Sequence, residues 1–203
     1  MHPSSRNRDA ATRARYLLAA GGALFLLVRY AGRERAWTLL DEGILAIHEA
    51  GHVVFGPFGE FAMMLGGSLF QLMVPALFIA YFWRRADRYA ACIVLFWLTA
   101  SLFNLAAYIG DARAGELPLI TGSRSDHDWT WLLIQMDALE HDRVLARIVR
   151  GSGWLSWALA LVGALHYADR RTSTVADEGQ IEANSGAAST TAGTSARVTG
   201  TKP

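Results

Sequence analysis

The chain is 203 residues long and 52% hydrophobic, with seven tryptophans and a mean hydropathy of +0.21, a composition too apolar for an ordinary soluble domain of this size. Its net charge is +1, and the arginines that carry the positive charge are scattered between apolar blocks, which excludes the basic patch a nucleic-acid partner would need. The only cysteine, Cys92, lies in an apolar run; an intrachain disulfide is impossible and a thiolate metal site is not expected.

Residues 1–12 are polar and read as an N-terminal tail leading to Arg13 and Arg15. The apolar block Tyr16 to Val28 follows. Its basic flank and length suit a secretory leader, but RYAGRER after it offers no small-x-small cleavage site, so a retained span over about 14–31 is predicted. Residues 36–58 carry Asp41, Glu42 and the stretch LAIHEAGHVVF, with Glu60 just beyond. Charges at membrane depth persist where they face a bundle interior or a watery cavity. This segment is therefore either a spanning helix lined by protein or a helix dipping partway in.

Residues 62–83 (AMMLGGSLFQLMVPALFIAYFW) are long enough to span. Gly66, Gly67 and Ser68 permit close backbone approach, and Pro75 predicts a kink. RRADR (84–88) ends that span, and 89–110 form the next. A polar loop over 111–128 leads to WTWLLIQMDALEHDRVLARIVR, whose mixed pattern predicts an amphipathic interfacial helix. Trp154 to Ala168 form a last apolar stretch. Beyond about Arg171 the chain is rich in Ser, Thr, Ala and Gly and too poor in large apolar side chains to fold alone, so residues 171–203 are expected to be disordered.

The expected fold is thus all-α: a polytopic membrane helix bundle of four to five embedded helices plus the interfacial helix, occupying residues 13–170. The expectation is a multi-pass integral protein of the plasma membrane, with the lipid bilayer as partner. Arginines flank both ends of the spans in comparable number and assign no sidedness.

His48 and His52 are four residues apart and so share one helix face, with Glu49 on a neighbouring edge. This is the H-E-x-x-H arrangement. Catalytic zinc takes three protein ligands, often imidazoles, and keeps one position for water, whose proton an adjacent carboxylate can accept. One Zn2+ per chain is expected, with His48 and His52 as ligands and Glu49 as general base. The competing reading is a pair of structural histidines satisfied by Asp41 or Glu42.

The third ligand must come from elsewhere. Asn104, Tyr108 and Asp111 fall at i, i+4 and i+7 of a later span, a polar stripe ending in a carboxylate, and Asp111 is the first candidate. The rival is the His127–Asp128 pair, which could close the site or orient a ligand, although Asp128 could equally cap the helix that follows. Asn104 and Tyr108 are candidates for substrate contact. His141 and Asp142, on a face expected to be solvated, and His166 in the last apolar stretch read as structural.

HEAGH in an embedded segment, then GGSLFQ, then a later span ending in an aspartate resembles the intramembrane zinc metalloproteases of the site-2 protease type. The resemblance covers roughly residues 36–113; the family's proline and Asp-Gly are replaced by NLAAYIGDA. It implies His48, His52 and Asp111 as zinc ligands, Glu49 as general base for a zinc-bound water, and peptide bonds of membrane-associated substrates as targets. The alternatives are a zinc hydrolase acting on something other than peptide, a zinc-binding membrane protein without catalysis, and a purely structural membrane protein.

Overall fold

The computed structural model describes residues 3–31, 38–117 and 127–169, with side chains from residue 9 onward. All regular elements among them are helical: α1 (Pro3–Ala31), α2 (Leu39–Phe55), α3 (Glu60–Arg84), α4 (Arg88–Gly110), α5 (Asp128–Gln135) and α6 (Asp142–Ala168), with short 3-10 turns at Gly56–Phe58 and Leu139–His141. The expected disordered tail, 171–203, lies outside the described residues.

Among the described residues, four helical stretches are long and apolar enough to cross a membrane: Asp9–Ala31, Glu60–Arg84, Arg88–Gly110 and Leu139–Ala168. This is compatible with an integral membrane protein. α2 is not among them: its 17 residues include Asp41, Glu42 and Glu49, and at 1.5 Å per residue it rises only about 25 Å. The segment from 3 to 12, expected as a tail, continues α1 instead. Pro3 starts it at no cost in hydrogen bonds, and the Ala- and Arg-rich stretch after it has high helix propensity.

α4 is the central helix and packs against α6, α3 and α1. Small residues make the α4–α6 contact close: a Cβ on Gly153 would lie 3.0 Å from Phe103 and one on Gly163 would lie 2.5 Å from the sulfur of Cys92. Ser156, Ala160, Ala164 and Ala168 continue that buried stripe. Without a hydrophobic drive between helices in lipid, such close packing and interhelical hydrogen bonds supply the association. The Thr99 hydroxyl donates to Ser156 Oγ at 2.8 Å, and Trp157 Nε1 donates to the Ala23 carbonyl of α1 at 3.0 Å.

α1 and α2 are joined by a buried ion pair between Arg29 and Asp41. Asp41 also accepts from the backbone N–H and hydroxyl of Thr38, at 2.9 and 2.7 Å, which fixes the start of α2. A charge inside such a bundle persists because it is paired. Asp41 is thereby committed to Arg29 rather than to the histidines.

α2 lies along α3 at backbone contact. A Cβ on Gly51 would stand 2.3 Å from the Gly66 carbonyl oxygen, and one on Gly66 would stand 2.5 Å from Phe55 Cβ. α3 runs on through Pro75.

The single amphipathic helix expected over 129–150 is divided. α5 stops at Gln135, Asp137 takes a left-handed φ of 51°, and α6 then runs unbroken from Asp142 through the last apolar stretch. α5 turns Asp128, Trp129, Leu132 and Leu133 into the bundle and leaves Ile134 and Gln135 exposed. Asp142, expected on a solvated face, is 1% exposed. It accepts both Arg113 Nε (2.9 Å) and a terminal guanidinium nitrogen (2.6 Å), because the break before α6 points residue 142 inward under the 111–117 segment. His141 and His166 are exposed, with no part in the buried network.

Candidate metal centre

His48 and His52 sit one turn apart on the side of α2 that meets α3, and each ring is fixed through Nδ1. His48 Nδ1 lies 3.1 Å from the side-chain oxygen of Gln71, and the amide nitrogen of Gln71 donates to the Ser101 carbonyl at 2.9 Å. The Ser101 carbonyl can only accept, so Gln71 must turn its own oxygen to His48, and His48 Nδ1 is the donor. His52 Nδ1 lies 2.8 Å from the Met63 carbonyl, again an acceptor, so it too carries the proton. A ring carrying only that proton presents Nε2 as a lone pair, while a second proton would make Nε2 a donor; the contact with Asp128 favours the second proton on His52, whose pKa is pushed up to about 8.

The two Nε2 atoms converge on one carboxylate oxygen. Asp128 Oδ2 is 2.9 Å from His48 Nε2 and 3.3 Å from His52 Nε2. Two imidazole lone pairs and an anionic oxygen cannot hold one another at such distances; a proton or a cation must sit among them. The donor set, two imidazoles and a carboxylate with their outer nitrogens hydrogen-bonded, is the one that suits a catalytic zinc site. The residues fit the ion.

Gly67 of α3 faces the same point. A Cβ there would lie 2.6 Å from His48 Nε2 and 2.7 Å from His52 Nε2, so the absence of a side chain leaves the space in front of both nitrogens clear.

Asp128 is placed by four interactions from α5 and its flank. Its backbone N–H donates to the Tyr108 hydroxyl at 3.1 Å, Trp129 Nε1 donates to Ser68 Oγ at 2.9 Å, the Thr130 hydroxyl donates to the Ala112 carbonyl, and His127 Nδ1 accepts the Thr130 N–H at 3.3 Å. His127, not Asp128, is thus the side chain that caps α5. Burial works against ionisation of Asp128, but its hydrogen bonds to His48 and His52 outweigh it and hold the carboxyl below its ordinary range. The first turn of α5 further favours the negative charge.

Glu49 lies beside the same two histidines. One of its oxygens and a ring nitrogen of each histidine lie within 4.8 Å of one another, and unlike the buried Asp128 it is exposed. The pair of histidines is therefore flanked by one buried and one open carboxylate.

Asp111, the first candidate for third ligand, is not brought to the histidines. It ends α4, and its two oxygens accept the backbone N–H groups of Glu116 and Leu117 at 2.9 and 3.0 Å. His127 Nε2 stands 3.7 Å from it, and burial keeps the His127 imidazole below its usual basicity. Tyr108 lies between: its ring stacks on His127 at 4.2 Å and meets His48 edge-on at 5.7 Å. Asn104 is half-buried one turn earlier on α4, apart from this network.

Gln71 and Gly67 do not stand out in the sequence as site residues, and Gly67 reads only as a packing position. Their signal was present: Gly67, Ser68 and Gln71 fall at i, i+1 and i+4 and put the small and polar residues of an otherwise apolar span on one face. No family model, curated protein or solved structure matches the chain.

Proposed function

We propose that the protein is a zinc-dependent intramembrane peptidase of the site-2 protease type, with His48, His52 and Asp128 as the metal ligands and Glu49 as general base. The observation that carries this reading is the convergence of two imidazoles, each donating through Nδ1, on Asp128 Oδ2 at 2.9 and 3.3 Å from their Nε2 atoms. Zinc held there supplies a Lewis acid that polarises a scissile carbonyl and acidifies water.

The chain's own residues divide the remaining work. Asp128 is buried, its carboxyl is held below its ordinary range, and its side chain meets both histidines, which suits a ligand. Glu49 is adjacent and open, which suits a group that must take a proton from water and return one to the leaving amine. Tyr108 holds the backbone of Asp128 and packs against His48, a positioning role. A substrate helix has to unwind near Glu49, since its amides are otherwise bonded internally and its carbonyl carbons shielded.

The test uses the purified full chain in nanodiscs, loaded with zinc, and a fluorescent single-span peptide whose span contains paired glycines. Wild type cleaves it; Glu49→Gln keeps one zinc per chain and loses about 10²- to 10⁴-fold in rate, the usual contribution of a general base. Equal zinc in wild type and in the His48→Ala, His52→Ala double variant ends the metal reading. Full zinc occupancy with no cleavage of any such peptide leaves a zinc-binding protein or a non-peptide hydrolase in its place.

A further inference from the structure

Beside the candidate metal centre, and separate from it, a cavity of about 970 Å³ opens between the last turns of α4 and the first turns of α6. Its floor is made of alanines and a glycine, Ala106, Gly110 and Ala146 among them, and its wall carries Arg143, Arg147 and Arg150. These three fall at i, i+4 and i+7 of α6 and so rise along one face of the helix. All three are exposed, and none pairs with a carboxylate among the described residues. Asp111 and Glu116 also line the cavity. Asp111 is buried and committed to two backbone N–H groups, and counting both acids against the three arginines still leaves one positive charge in excess.

The position along the spans matters as much as the charge. α4 ends at Gly110 and the strongly apolar part of α6 begins after Arg150, so the arginines stand where two membrane-crossing helices leave the apolar layer. Guanidinium forks match phosphate oxygens two at a time. A small-residue floor continuous with apolar helix surface accepts the start of an acyl chain. Basic pockets between transmembrane helices at this level bind anionic lipid head groups.

We infer that this cavity is a binding site for an anionic phospholipid, its phosphate held by Arg143, Arg147 and Arg150 and its glycerol end lying over the alanine floor. The inference does not depend on the peptidase reading, because neither the histidines nor Asp128 line the cavity.

The experiment is native mass spectrometry of the full chain released from nanodiscs made of phosphatidylcholine with a minor share of phosphatidylglycerol, whose anionic head group basic juxtamembrane sites attract. Wild type retains phosphatidylglycerol over phosphatidylcholine, and the Arg143→Gln, Arg147→Gln, Arg150→Gln variant loses that preference by about tenfold or more. An Arg84→Gln, Arg85→Gln variant, at the opposite end of α3, keeps it. Helical circular dichroism and thermal melting of the triple variant confirm that it is folded, and single substitutions serve in its place if it is not. Equal retention by wild type and the folded variants overturns the site. So does displacement of the lipid by millimolar inorganic phosphate, which would mark a site for the free anion instead.

Discussion

Gly67→Ala is the substitution that most directly interrogates the metal centre. The added methyl would stand 2.6 and 2.7 Å from the two Nε2 atoms, whereas non-bonded heavy atoms settle at about 3.5–4.0 Å, so each ring must retreat by roughly 1 Å. The methyl cannot move instead, because it is carried on the backbone of α3, which is itself pressed against Gly51 of α2. Ring retreat breaks the Nδ1 bonds to Gln71 and to the Met63 carbonyl. A buried polar group left unpaired costs about 1–3 kcal/mol, so two of them cost at least about 2 kcal/mol, and at 1.4 kcal/mol per tenfold the zinc Kd weakens by about thirtyfold or more.

The assay is competition for zinc against a chromophoric chelator in detergent, with thermal melting measured alongside. Gly43→Ala is the matched control. It lies on α2 with nothing within 4 Å of its added Cβ, so it should leave zinc binding alone and stabilise the helix by up to about 1 kcal/mol. If Gly67→Ala binds zinc within a factor of two or three of wild type, the histidine nitrogens do not face Gly67 around a shared ion and the geometry of the centre is refuted.

Asp128→Asn should abolish stoichiometric zinc, whereas Asp111→Asn should retain it and lower the melting temperature by loosening the turn at Glu116 and Leu117; metal analysis of both variants decides between the two aspartates, and the reverse outcome would restore Asp111 as ligand. Gln71→Met keeps the volume but removes the acceptor for His48 Nδ1, and outer partners of this kind carry about 10- to 100-fold in metal affinity, so an unchanged zinc Kd would exclude Gln71 as the residue that sets the ring. The Glu49→Gln and arginine variants described above complete the set, one separating binding from catalysis and the other testing the lipid site.

The sequence by itself determined the helices and the pairing of the two histidines on one helix face. Apolar runs as long as a bilayer is thick specify helices able to span one whatever packs beside them, because each backbone amide in lipid has to be satisfied within its own segment. The His48–His52 spacing likewise fixes a shared helix face by local geometry alone. The identity of the distant carboxylate was not determined in this way. Asp111 and Asp128 are both carboxylates next to a helix end, seventeen positions apart by number, and nothing local separates the one that caps a turn from the one that reaches across.

That choice was made by tertiary structure. The left-handed residue at Asp137 frees α5 from α6, the glycines at 51, 66 and 67 let α2 and α3 touch, and the bonds from Trp129 to Ser68 and from Asp128 to Tyr108 seat α5 against the histidines. Gln71 shows the same dependence, since an isolated amide in an apolar span becomes legible only when Ser101 takes its nitrogen and His48 takes its oxygen. Helix formation is satisfied within a segment and can be read from it; which side chains converge depends on how several segments pack, and that information is spread over residues far apart in the chain.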